Sequence, residues 1–374
     1  MVVMPELDSP EQAEALARRL AGALGQPITV AGRRLVSTAS LGLALYPRDG
    51  LDSPTLRKHA DVAMYRAKAS GRNALRQFSP EMSGGLGALE LEQALREAVQ
   101  RGEFELHYQP QVRPRPSPGS EVRGIEVQGI EVQDVEVLGL EALVRWRRGR
   151  ELVPPGVFIP LAEETGLIVP LGEWILRESL RQLAEWERSG LYVARMAVNV
   201  SARQLAAPGL PEAIQSALAA SGITPDRLEL ELTESLMAEN LDAIAGQLAA
   251  LRSQGLRVAV DDFGTGHSSL ALLRAVPADT LKIDRAFVSG LPADRDSVAV
   301  VRVVLALAHT LGLDVVAEGV ETPEQWNMLG ALGCTAGQGF VFARPLPAAE
   351  IEQWLRSTAE FVTPPLELVG LQPN

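Results

Sequence analysis

The sequence has 374 residues, of which 46% are apolar, with a formal net charge of −12 and a single cysteine. That length suits two domains, or one barrel plus a smaller unit. The acid excess, with no run of Lys or Arg, excludes a basic nucleic-acid-binding surface, and the lone Cys334 excludes an internal disulfide and suits a reducing interior. Pro10 to Leu24 has helical spacing, with Ala13, Leu16, Leu20 and Leu24 on one face. Val36 to Leu45 reads as a strand. Asp52-Ser53-Pro54 is a helix start, a capping side chain followed by proline in the first turn. That helix runs through Leu56, Ala60, Ala63, Met64 and Ala67 towards Gly71, a natural stop.

Ser83-Gly84-Gly85-Leu86-Gly87 is a flexible break and predicts a domain boundary. The next helix carries Leu91, Leu95 and Val99 on one face and ends at Gly102. Phe104 to Pro110 and Leu138 to Trp146 alternate as strands, and a hairpin is expected between them. An odd insertion separates the two. Arg113-Pro114-Arg115-Pro116-Ser117-Pro118-Gly119 is too proline-rich for regular strand. Gly124-Ile125-Glu126-Val127-Gln128 is then repeated at Gly129-Ile130-Glu131-Val132-Gln133. A short tandem duplication that lengthens the hairpin is the simplest reading.

From residue 154 strands and helices alternate. Strands are expected at Arg195–Val200, Arg227–Leu232, Val258–Asp261, Thr280–Asp284 and Asp314–Glu318. Helices are expected at about 174–189, 211–220, 239–254, 295–311 and 322–332, with Gly255 and Gly312 closing the third and fourth. This rhythm is that of a (β/α)8 barrel, whose active sites form at the C-terminal ends of the strands. Asn199, Glu231, Asp261, Asp262, Lys282 and Glu318 all fall near such ends, while Glu141 lies within its strand. Taken alone, Asp261-Asp262 reads as an exposed turn. Placed where a strand gives way to the glycine-bearing loop Phe263-Gly264-Thr265-Gly266, two adjacent carboxylates instead call for a cation, and a divalent metal is the simplest.

Two stretches resemble known families. Ser40-Leu41-Gly42-Leu43-Ala44-Leu45-Tyr46-Pro47, Ala60-Asp61-Val62-Ala63-Met64-Tyr65-Arg66-Ala67-Lys68 and Gly71-Arg72-Asn73 resemble the C-terminal half of the GGDEF domain, which makes cyclic di-GMP. Val2 to Leu7 looks like the strand after that family's signature hairpin. The signature and the upstream nucleotide-binding elements are absent, so the resemblance implies no working cyclase. Glu141-Ala142-Leu143 is the signature of the EAL domain, the family of cyclic di-GMP phosphodiesterases. Tyr108-Gln109-Pro110, Phe158 to Glu163, Asn199-Val200-Ser201, Glu231-Leu232-Thr233-Glu234, Asp261 to Gly266, Lys282-Ile283-Asp284, Ala317 to Glu321 and Gly337-Gln338-Gly339 extend the match. The expected organisation is a truncated α+β GGDEF-like segment at 1–80, a linker at 81–88, an EAL barrel at 89–357 with one antiparallel strand and an insertion at about 113–136, and a tail at 358–374.

The resemblance implies hydrolysis of cyclic di-GMP to linear pGpG with two divalent cations, Mg²⁺ or Mn²⁺. It assigns Glu141, Asn199, Glu231 and Asp261 to the first metal, and Asp261, Asp262 and Glu318 to the second. Lys282 would orient or deprotonate the attacking water, and Glu318 is a second candidate for proton handling. Gln109, Arg145 and Gln338 look like substrate contacts; the forked donors of Arg145 suit a phosphate. Glu234 would anchor the loop Phe263–Ser269, which in the family couples the site to homodimerisation. Two positions depart from the family: His267 stands where a tyrosine is usual, and Ala336 where a larger residue is usual. No run of about eighteen apolar residues and no charged leader appears, so the expectation is a soluble, cytoplasmic protein. Rival readings are a cyclic di-GMP receptor with slow turnover, a scaffold that uses the repeat and Pro-rich segment as an interaction surface, and a general phosphodiesterase acting on nucleic acid, which the charge disfavours.

Overall fold

The computed structural model describes residues 3–4, 10–24, 28–30, 33–35, 40–69, 75–79, 86–114, 125–127, 130–132, 135–149, 151–234, 241–264 and 275–358. Two compact units divide the chain, Met1–Glu97 and Ala98–Asn374. The first contains helix α1 (Pro10–Leu24), the antiparallel pair β1 (Ile28–Val30) and β2 (Arg33–Leu35), then β3 (Leu41–Leu43), helix α2 (Ser53–Ala69) and β4 (Leu75–Gln77). Strands β3 and β4 pair in parallel, with α2 as the crossover. Asp52 caps α2 as expected: its carboxylate accepts from Thr55 N at 2.7 Å and Thr55 Oγ1 at 3.0 Å. Gly42 is required by close approach, since a Cβ there would run into the Ala60 carbonyl oxygen. The strand expected over Val36–Leu45 is confined, within the described residues, to Leu41–Leu43. Val2–Leu7 lies outside them apart from Val3 and Met4, as does Gly71.

Helix α3 (Leu86–Arg101) begins inside the glycine-bearing stretch and ends before Gly102, whose φ of 69° suits glycine. The second unit is a closed barrel, of eight strands among the described residues, ringed by helices. Strand β5 (Phe104–Pro114) pairs antiparallel with β8 (Val135–Arg148), from Phe104 opposite Trp146 to Pro114 opposite Val135. Then follow in parallel β10 (Met196–Asn199), β11 (Leu228–Thr233), β12 (Arg257–Phe263), β13 (Thr280–Ile283), β14 (Asp314–Ala317) and β15 (Ala336–Gly337). β15 meets β5 antiparallel and closes the ring. β5 is therefore the one barrel strand that runs against the others among the described residues. Two short strands lie on the margins: β9 (Glu151–Val153) on β8, and β16 (Leu346–Pro347) on β5.

The helices are α4 (Pro155–Thr165), α5 (Ile168–Arg188), α6 (Ala202–Ala206), α7 (Leu210–Ser221), α8 (Leu241–Ser253), α9 (Arg285–Val288), α10 (Arg295–Leu311), α11 (Pro323–Ala331) and α12 (Ala348–Thr358). α4, α12 and the two-residue β15 were not expected. Pro155 and Pro160 punctuate α4, and β15 is too short to show a period. Strand β11 displays the logic of a strand buried on both faces. Leu228, Leu230 and Leu232 are fully buried, and so, between them, are Glu229 and Glu231. Alternation sends the leucines to the helical layer and the glutamates into the barrel. At the foot of the hairpin, Phe104, Trp146 and Phe158 pack with ring centroids 5.8 to 6.2 Å apart.

The insertion behaves as a separate hairpin. Its two repeats pair with each other, β6 (Ile125–Val127) antiparallel to β7 (Ile130–Val132). Arg113 and Pro114 belong to β5, contrary to the expectation that proline would end the strand there, and residues 115–120 lie outside the described residues. Because Pro114 and Val135 already face one another, residues 115–134 can be replaced by an Asn-Gly turn. The melting temperature is expected to stay within about 4 °C of the parent by differential scanning calorimetry. Substituting Phe158→Ala, by contrast, empties a fully buried aromatic position and is expected to cost about 3–5 kcal/mol in urea denaturation.

Candidate active site

The inward residues of the barrel form two polar layers. In the lower layer Glu229 is completely buried and its charge is matched. Arg195 Nη1 lies 3.2 Å from its carboxylate, Arg257 Nε 3.5 Å, and Thr280 Oγ1 donates at 2.6 Å. Arg257 also pairs with Asp314 at 2.7 Å. The upper layer lies further along the barrel strands, two residues on in β11 and β13, and there the charges do not balance.

Lys282, two residues beyond Thr280, is completely buried at the centre of the upper layer. Its Nζ lies 2.6 Å from Glu318 Oε1, 2.7 Å from Glu231 Oε2, 3.5 Å from Asp261 Oδ2 and 3.7 Å from Glu141 Oε2. Burial works against its charge, but these four carboxylates hold its pKa well above the ordinary lysine value. Glu141, buried in mid-strand, is reached by Asn199 Nδ2 at 2.7 Å and Gln338 Nε2 at 2.5 Å. Burial opposes its ionisation, yet Lys282 and the two amides bring its pKa below the ordinary value. Glu231 goes the other way: burial, and then the charge of Glu141, push it well up.

The carboxylate pair on β12 depends on a backbone irregularity. The strand was expected to stop at Asp261 and instead continues to Phe263, with its register to β13 shifting between Val260 and Phe263. Asp262 carries a φ of 54°, a left-handed conformation that costs about 1 kcal/mol or more outside glycine. In a regular strand Asp261 and Asp262 would point to opposite faces. The bulge brings both round, so that Asp261, Asp262 and Glu318 offer oxygens within 4.8 Å of one another. Burial, then Asp261 and Asp284, raise Asp262 to about 6, and burial raises Glu318 to about 8 in spite of Lys282.

The sequence-derived candidates thus divide. Glu141, Asn199, Glu231, Asp261, Asp262, Lys282, Glu318, Gln109 and Gln338 share one site. Gln109 Oε1 accepts from Gln338 Nε2 at 3.1 Å, and its own amide donates to Ala343 O at 3.0 Å. Arg145 is half-buried and donates to the Val144 carbonyl at 2.9 Å; among the described residues it meets the cluster through the charge of Glu141 rather than through a hydrogen bond. Glu234, also buried, stands apart and accepts from Gly264 N at 2.9 Å, which pins the start of the loop after β12. Thr265–Ser269, including His267, lies outside the described residues. Ala336 is buried in β15 and bears no polar group. Two residues were missed. Asp284 caps α9 and perturbs Asp262; Gln111 donates to Glu231 Oε1 at 3.3 Å. Gln111 was findable from the period of two that sets it on the same face as Gln109.

The donor set fits hard divalent cations. It is all oxygen apart from Lys282, it gathers five carboxylates around one ammonium, and buried Glu231 Oε2 has no aligned hydrogen bond. Among the described residues no helix is long and apolar enough to cross a membrane.

Comparison with known proteins agrees with this geometry. The chain matches the EAL domain model over residues 92–345 and the model of the diguanylate cyclase GGDEF domain over residues 1–74. It is 41% identical over 360 residues to the bifunctional diguanylate cyclase/cyclic di-GMP phosphodiesterase MucR of Pseudomonas aeruginosa, a match covering 96% of this chain and 50% of that protein. It is 38% identical over 357 residues to the cyclic di-GMP phosphodiesterase PdeR of Escherichia coli, covering 95% and 51%. The chain spans about half the length of these curated relatives. The solved structure of the PaMucR phosphodiesterase in complex with c-di-GMP superposes with a TM-score of 0.62 at 42% identity, covering 70% of this chain and 99% of that one.

The raised carboxyls give a pH signature. Between the ordinary glutamate value of 4.5 and its folded value of about 8, Glu318 keeps a proton in the folded chain that the unfolded chain has lost. Chelator-treated protein is therefore expected to lose melting temperature as pH rises through that window. Mn²⁺ should restore more of it at the upper end than at the lower. A flat profile by differential scanning fluorimetry would count against a cluster short of cations.

Proposed function

The chain belongs to the EAL-domain family, and from that membership we propose that it is a metal-dependent phosphodiesterase that hydrolyses cyclic di-GMP to linear pGpG. The observation that carries the proposal is the complete set of oxygen donors around a single buried lysine. Glu141, Asn199, Glu231 and Asp261 are assigned to one divalent cation, and Asp261, Asp262 and Glu318 to another, Mg²⁺ or Mn²⁺. Bound there, the cations would supply Lewis-acid polarisation of the phosphate and a water acidified towards neutrality.

The chain's own residues do the rest. Lys282 holds the attacking water and gives local positive charge. Glu318, whose Oε1 lies 2.6 Å from Lys282 Nζ, is assigned to proton handling. Asp262, whose carboxylate lies within 4.8 Å of that of Glu318, is assigned to the same task. Gln109, Gln338 and Arg145 are assigned to the substrate. Glu234 holds the loop after β12 through Gly264, where a φ of 98° and the close ring of Phe287 leave room only for glycine. We also propose that the protein acts in the cytoplasm as a homodimer through the EAL unit.

A second reading is a cyclic di-GMP receptor with slow turnover. It draws on the N-terminal unit, whose family match covers residues 1–74.

Incubating the protein with cyclic di-GMP and Mn²⁺, with and without chelator, separates the two readings by chromatography of the products. Metal-dependent pGpG is expected; tight binding without turnover would favour the receptor. Glu141→Ala and Asp261→Asn are each expected to lower the rate at least about 100-fold, because each removes a ligand of the ion that stabilises the transition state. Retained activity in either would sink the two-metal assignment. Glu234→Ala is expected to weaken turnover by about tenfold without abolishing metal uptake.

A further inference from the structure

Strand β5 contributes two amides to the barrel interior, and the substrate assignment uses only one. Gln109 and Gln111 lie two positions apart and so share a face. Both are buried, at 7% and 3% exposure. Their partners differ. Gln109 serves Gln338 and the Ala343 carbonyl, whereas Gln111 Nε2 reaches across the barrel to Glu231 Oε1 at 3.3 Å. The opposite position on β8 is Gly139, so no side chain stands directly across the ladder from Gln111. Immediately beyond Gln111 the β5–β8 register shifts.

We propose that Gln111 is a positioning residue that fixes the Glu231 carboxylate for the cation, holding Oε1 so that Oε2 stays turned to the centre of the cluster. The inference rests on the two-metal reading and extends it to a residue on the one antiparallel barrel strand.

The chemistry of an amide suits this task. Glu231 is 1% exposed, so an unbonded oxygen there has no water to turn to. A lysine or arginine at position 111 would satisfy it but would also neutralise the charge that the cation needs. A glutamate would add a further carboxylate to a cluster already short of cations. Glutamine supplies a donor with no net charge. Its bond to Oε1 leaves Oε2 facing the cluster, where it lies 2.7 Å from Lys282 Nζ. Partners that orient a metal ligand in this way typically change metal affinity by about 10–100-fold when removed.

The test is isothermal titration of Mn²⁺ into chelator-stripped protein comprising residues 1–374, comparing the parent with Gln111→Met and Gln111→Asn. Methionine keeps the volume and removes the donor; asparagine keeps the donor and loses the reach. Both are expected to weaken Mn²⁺ binding by about 10–100-fold. At saturating Mn²⁺ the KM for cyclic di-GMP should stay within about twofold of the parent, because Gln111 is not assigned to the substrate. Unchanged Mn²⁺ affinity in a variant that retains the parent circular dichroism spectrum overturns the inference. A raised KM with unchanged Mn²⁺ affinity also overturns it, making Gln111 a substrate contact. If the methionine variant does not fold, the asparagine variant decides. If the parent itself takes up no Mn²⁺, the metal reading falls first, and the inference falls with it for that separate reason.

Discussion

One buried ammonium surrounded by too many carboxylates is the constraint on which the upper half of this barrel depends. Lys282 has four acidic side chains within 3.7 Å, and Asp262 adds a fifth carboxylate beside them. A buried charge is tolerable only when paired, and one cation cannot pair five anions. Protonation offers one escape, and the raised pKa values of Glu231, Asp262 and Glu318 express it. Binding of divalent cations offers the other. The imbalance is itself the preorganisation: repulsion among the carboxylates is built into the fold and is relieved by what the site receives.

The lower layer is the control for this argument. The same strands β11 and β13 carry Glu229 and Thr280 just below Glu231 and Lys282, yet there each charge has its partner. Arg195, Arg257 and Asp314 complete a closed network near the N-terminal ends of the strands. Such a network orients and seals the barrel interior. The barrel thus separates its tasks by height, with balanced charge where it needs rigidity and unbalanced charge where it meets ligands.

Two backbone devices deliver that upper layer. The reversed strand β5 brings Gln109 and Gln111 in from the direction opposite to the other strands, and both end beside residues of the cluster or its supports. The bulge at Asp261–Asp262 breaks a strict alternation of faces and turns one exposed-looking dipeptide into a convergent pair. Neither device involves large energies. Each fixes where an oxygen points, which is what cation binding is sensitive to.

The sequence by itself determined much of this. The 3.6 and 2.0 periods located most barrel elements, Asp52 and Gly312 marked helix ends correctly, and the ordered motifs from Tyr108 to Gly339 identified the family. It also placed Glu231, Lys282 and Glu318 at strand ends, because the strand rhythm and the rule for barrel active sites are both local. Tertiary structure alone decided the rest. Whether Arg145 joins the cluster, how Glu141 reaches it from mid-strand, and which carboxylate Gln111 serves depend on the closure and tilt of the ring, which bring together residues more than a hundred positions apart. The strand through Phe263 escaped the sequence reading because a bulge leaves no period to count. The protonation of the site is equally invisible in one dimension, since each pKa there follows from burial and from charges supplied by other strands.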